Sequence, residues 1–109
     1  MTTKYKILGQ AAPTPNTLTA IYTVPASNSA VISTITICNQ TASNGSYSIS
    51  VANSGASDSN TQYIIRGGVV PAADSIGITL GLTLGATDVV RANTNLANVS
   101  FNVFGSEVY

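Results

Sequence analysis

The chain has 109 residues, 44% hydrophobic and 7% charged, with no histidine, no tryptophan and one cysteine. Without histidine no Ser-His-Asp or Cys-His nucleophile can be assembled, and the usual His/Cys zinc set is missing, so the composition argues against an enzyme, a metal site or another cofactor. Lys4, Lys6, Arg66 and Arg91 balance Asp58, Asp74, Asp88 and Glu107 at zero net charge, which leaves no basic stripe for nucleic acid and no polybasic cluster for a membrane surface.

Hydrophobicity alternates with period two, not 3.6, and predicts strands throughout. The start, residues 1–6, lacks the apolar stretch of a signal peptide, and no apolar run is long enough to span a membrane. A first strand is expected at 4–9, closed by the Pro13 and Pro15 region. Leu18, Ala20, Tyr22 and Val24 alternate within a second at 17–24, which Pro25 ends. A third is expected at 29–38, finishing at Cys38. That cysteine has no disulfide partner and reads as a small core hydrophobe. Asn44-Gly45 is a hairpin signal before a fourth strand at 46–53, where Tyr47, Ile49 and Val51 alternate with serines. A polar loop from Asn53 to Asn60 precedes a fifth at 61–66, which Gly67-Gly68 is expected to break. Ile76, Ile78, Leu80, Leu82 and Leu84 alternate with Gly77, Thr79, Gly81 and Thr83 in a sixth at 75–84. Gly85 to Asp88 forms a corner, and further strands follow at 87–92 and 97–105.

Eight short strands with regular turns predict an all-β chain, a single antiparallel β-sandwich domain over residues 1–109. Jelly-roll and immunoglobulin-like topologies both fit this patterning. A domain of this size buries roughly two-thirds of its unfolded surface. Aromatics are 6% of the chain, with Phe101 and Phe104 the only phenylalanines, so self-association or a partner surface is expected to add stability.

The acids are scattered, and Asp58, Asp74 and Asp88 each read as turn residues that satisfy backbone groups. The loop around Asp58 is the one place where a calcium site could be sought, and it reads as a solvated loop instead. Gly77 and Gly81 leave either a flat strand face for another chain or a bend. Phe104 falls on the polar face of its strand, so it either faces outward near the terminal Tyr109 or is turned inward by a bulge at Gly105. Tyr5, Tyr22, Tyr47 and Tyr63 mostly follow core parity, which weakens a carbohydrate- or receptor-binding reading based on exposed aromatics.

Several blocks carry a resemblance across nearly the whole length. They are Tyr5-Lys6-Ile7-Leu8-Gly9-Gln10 with Pro13, Ile21-Tyr22-Thr23-Val24-Pro25-Ala26, and Ile35-Thr36-Ile37-Cys38-Asn39. Ile78 to Leu84 with Ala86-Thr87-Asp88, and Val99-Ser100-Phe101 with Phe104-Gly105-Ser106-Glu107, complete them. The chain resembles small virion proteins of tailed bacteriophages, particularly those of cyanobacterial hosts. The resemblance implies a β-sandwich part of the particle, as head decoration or cement protein or as a tail-associated part. It further implies a homo-oligomer, trimeric in the decoration case, bound to the phage major capsid protein in a virion assembled in the host cytoplasm. Ile7, Phe104 and Tyr109 are the expected protein-contact residues, with 4–9 and 97–105 as contact edges.

Overall fold

The computed structural model describes residues 2–109; Met1, the first residue of the expected domain, lies outside them. The alternation folds into β1 (Thr3–Ala11), β2 (Thr19–Thr23), β3 (Ser29–Asn39), β4 (Gly45–Ala52), β5 (Tyr63–Val70), β6 (Ser75–Leu84), β7 (Val89–Thr94) and β8 (Val99–Val108). Two four-stranded antiparallel sheets form a sandwich, ordered β1-β8-β3-β6 and β2-β7-β4-β5. Every link except that between β4 and β5 carries the chain from one sheet to the other. The ladders nest: β4 pairs β5, and outside that pair β3 pairs β6, β2 pairs β7 and β1 pairs β8. The fold is therefore one long antiparallel ribbon rolled into a sandwich.

Period two accounts for the core, because each strand turns alternate side chains into the gap between sheets. Ile32, Ile35 and Ile37 of β3 and Phe101 and Val103 of β8 meet Ile49 and Val90 from the other sheet, all fully buried. The rings of Tyr47 and Phe101 bridge the sheets edge to face, with centroids 6.5 Å apart. Turn chemistry closes the links. Asp88 Oδ2 accepts from the Gly85 amide at 2.9 Å, and Asp74 Oδ1 from the Ser75 amide at 2.8 Å. Buried Asn39 donates to the Ser43 and Val70 carbonyls and accepts from Thr41, stapling the β3–β4 link to the end of β5.

Four expectations are corrected. Gly67-Gly68 does not end a strand: Gly67, at φ +71°, forms a bulge inside β5, and Gly68 lies against the Tyr47 ring where a Cβ would collide. The 97–105 strand is longer and is no edge, because β8 is paired on both sides, by β1 and β3. Cys38 is half-buried rather than a core residue, since alternation gives the inner positions to Ile37 and Asn39. Tyr5 departs from core parity and is 86% exposed.

Ser50, read as a surface position, is fully buried because the 53–62 loop folds over the outer face of its sheet. Arg91 holds that loop by donating to the Ala56 and Gly55 carbonyls. The Ser50 hydroxyl has no hydrogen-bond partner there. An unpaired buried hydroxyl costs about 1–3 kcal/mol. Ser50→Ala is therefore expected to raise the unfolding free energy by up to about 1 kcal/mol in urea titrations. A loss of stability would show that the hydroxyl is in fact satisfied.

Candidate functional site

The outer face of the β1-β8-β3-β6 sheet holds the candidate surface. Ile7 of β1 lies directly opposite Phe104 of β8, so two of the three expected contact residues are adjacent. Phe104 is half-buried and Ile7 is 54% exposed. The outward reading of Phe104 holds: the inner positions of β8 belong to Phe101, Val103 and Glu107. No bulge forms at Gly105. The register slips instead on the neighbouring strands, at Leu8 of β1 and Ser33 of β3.

Tyr5 and Val31 complete the patch, both opposite Ser106, one on each side of β8. Together with Ser33 and Phe104 they line a shallow, mostly apolar depression of about 510 Å³. Singly scattered surface hydrophobics are ordinary, whereas these apolar side chains are contiguous, which makes this the candidate surface. Composition and parity could find Phe104 but not Tyr5, because Lys4 and Lys6 flank it and lysines read as outward residues. Lys6 instead turns inward, and its ammonium reaches Glu107 at 2.9 Å.

Tyr109 is not brought to this patch. Alternation along β8 sets it on the side of Glu107, where the Lys4 ammonium sits 5.7 Å from its ring centre. Its backbone amide and carbonyl pair with Thr2, which ties the two chain ends together.

Behind the patch, on the inner side, lies one buried ionic group. Glu107 accepts a 2.6 Å hydrogen bond from the Tyr22 hydroxyl of the opposite sheet and pairs with Lys6. The Tyr22 bond first, and then Lys6, hold the Glu107 carboxyl below its ordinary range. Burial, and secondly the same carboxylate, push the Tyr22 hydroxyl up. Each carboxylate oxygen of Glu107 is thus engaged by a partner from this chain. Among the described residues no cluster of three or more His, Cys, Asp or Glu could hold a metal ion. Asp58 accepts from the Tyr63 hydroxyl at 3.2 Å. No helix among the described residues is long and apolar enough to cross a membrane.

No family model and no curated protein matches this chain. Among solved structures, a chain of infectious bursal disease virus, Gx strain, superposes with a TM-score of 0.52 at 6% identity, over 97% of this chain and 31% of that one. A chain from the Gt strain matches at 8% identity and a TM-score of 0.49, over 96% and 31%. A pentameric capsid protein isolated from metagenomic phage sequences matches at 18% identity and a TM-score of 0.30, over 95% and 64%. This chain thus spans less than a third of the length of the two viral chains. The Gx-strain likeness is one of fold.

Proposed function

We propose that this chain is a structural protein of a virus particle, a tailed-phage head decoration or cement subunit that acts through protein–protein contacts and not by catalysis. The observation that carries the reading is the contiguous apolar surface of Tyr5, Ile7, Val31 and Phe104 on an open sheet face. Two further points support it. The nested strand order supports a jelly-roll reading, and jelly rolls are a double-sheet architecture of viral capsid and lectin domains. The fold is also shared with a chain in a virus structure. The surface is kept wet by Ser, Thr and Asn, so few charges need desolvation when subunits pack.

In this reading the chain is a homotrimer seated on the major capsid protein, and the Ile7–Phe104 patch is buried in the assembly. Light scattering after gel filtration should give three times the chain mass. The double variant Ile7→Asp, Phe104→Asp should keep the wild-type circular dichroism spectrum. It should weaken self-association and binding to purified phage heads about tenfold or more, as expected for the loss of a buried apolar anchor. Unchanged assembly and head binding would remove the patch from the function.

A tail-associated part or a carbohydrate- or receptor-binding module is the second reading, and the exposure of Tyr5 favours it. A free aromatic ring is the group that stacks on a sugar face. A stable monomer that binds a glycan, and loses it in Tyr5→Ala, would replace the first reading with this one.

A further inference from the structure

A rolled ribbon leaves four sheet edges, and they are unequally protected. In β1, Lys4 and Lys6 flank Tyr5, so antiparallel self-pairing about Tyr5 would set lysine against lysine. The β2 edge is only five residues long and slips register at Ile21. The β5 edge carries Arg66 beside the Gly67 bulge. Charge, shortness and bulges are the devices by which sheet edges avoid pairing with other chains. The β6 edge has none of the first two: it runs ten residues, Ser75–Leu84, without a charge or a proline. The irregularity opposite Ser33 leaves its in–out alternation intact.

The side chains along β6 match themselves when the strand is reversed. With Thr79 opposite a second Thr79, Gly77 meets Gly81 and Ser75 meets Thr83 on the outer face. On the inner face Ile78 meets Leu80 and Ile76 meets Leu82. Thr–Thr and aliphatic cross-strand pairs are favourable, and every residue from 75 to 83 finds a counterpart of its own kind. The outer positions are exposed, and a Cβ at Gly77 or Gly81 would meet nothing within 4 Å. The inner aliphatics remain only half-buried because no strand lies beyond β6.

We propose that β6 is a homotypic edge, pairing antiparallel with β6 of a second copy about a two-fold axis through Thr79. The occupant is a second copy because the register is self-complementary, as a two-fold interface requires. The inference rests on the self-association in the proposed function but uses the edge opposite β1 and the Ile7–Phe104 patch. The two contacts can therefore coexist, one closing trimers and the other joining them.

Cross-linking tests the register. In a Cys38→Ser background, Thr79→Cys should oxidise to a covalent dimer at least about tenfold faster than Ser57→Cys in the exposed loop, because the thiols are held face to face. Gly77→Cys should cross-link when mixed with Gly81→Cys and not by itself. Equal rates for Thr79→Cys and Ser57→Cys would overturn the proposal. In light scattering at rising concentration, wild-type trimers should join into larger species, while Thr79→Lys, on an open surface that does not touch the core, should stay at three chains throughout. The same growth in Thr79→Lys, or a wild type that stays trimeric at every concentration, would refute the β6 edge and leave self-association through the patch standing. A wild-type monomer at every concentration would overturn both.

Discussion

Gly105→Ala is expected to be among the most damaging single substitutions in this chain. A Cβ built there would lie 2.0 Å from the Val31 carbonyl oxygen and 3.0 Å from the Ile32 Cα. Both obstacles are backbone, in a strand paired on both sides, so no side chain can rotate away. Adding a methyl group to a packed site costs about 1–3 kcal/mol and more where the backbone must move. An expected loss of about 3 kcal/mol corresponds to a drop of Tm by more than about 10 °C in a domain of this size. Calorimetry of the purified variant measures it directly. A shift of one or two degrees would mean that β3 and β8 part easily at the Ser33 slip. The consequence reaches the surface: Gly105 follows Phe104 and pairs with Lys6 beside Ile7, so forcing these strands apart also distorts the apolar patch. A loss of head binding in Gly105→Ala would accompany unfolding, whereas Ile7→Asp with Phe104→Asp should separate the two.

How far the sequence could be read follows from the range of the interactions involved. Alternation is local, and it located all eight strands, with β6 at the bounds observed. It failed wherever one residue is inserted, because a single slip reverses every later side chain relative to the partner. Slips at Leu8 and Ser33 and the Gly67 bulge are set by the neighbouring strand and leave no mark on hydropathy. Ser50 was misplaced because its cover comes from a loop tied down by Arg91, a contact between distant residues. The pairing of Ile7 with Phe104 spans almost the whole chain; an apolar residue on a polar face marked out Phe104, but nothing local marked the pairing. Strand order was not legible, since jelly-roll and immunoglobulin-like chains share their patterning and differ only in which strands meet.

Glu107 is the residue whose importance was hardest to read, since a carboxylate near a chain end ordinarily belongs to solvent. Here it is buried, and its strongest partner, the Tyr22 hydroxyl, lies on the facing sheet. Lys6 is about half exposed and can return to water at little cost, so the ion pair contributes less than the Tyr22 bond. A hydrogen bond to a charged group contributes about 1.5–3 kcal/mol. Tyr22→Phe is expected to lose about that amount at pH 7, since it leaves a buried carboxylate short of a donor. The pH dependence separates this cause from simple repacking. Folding lowers the Glu107 pKa, so its contribution is complete above the unfolded value of 4.5 and is lost as pH falls through the folded one. Tyr22 is raised, so its contribution holds through neutral pH and fades only in strong alkali, as pH climbs through the folded value. In Tyr22→Phe the acid limb of the stability profile should therefore move up toward pH 4.5, and the difference from wild type should shrink once Glu107 is protonated in both. Urea titrations between neutral and strongly acidic pH read this out. A deficit of the same size at every pH would show that Tyr22 acts by packing alone, and that Glu107 is held in its charged form chiefly by Lys6.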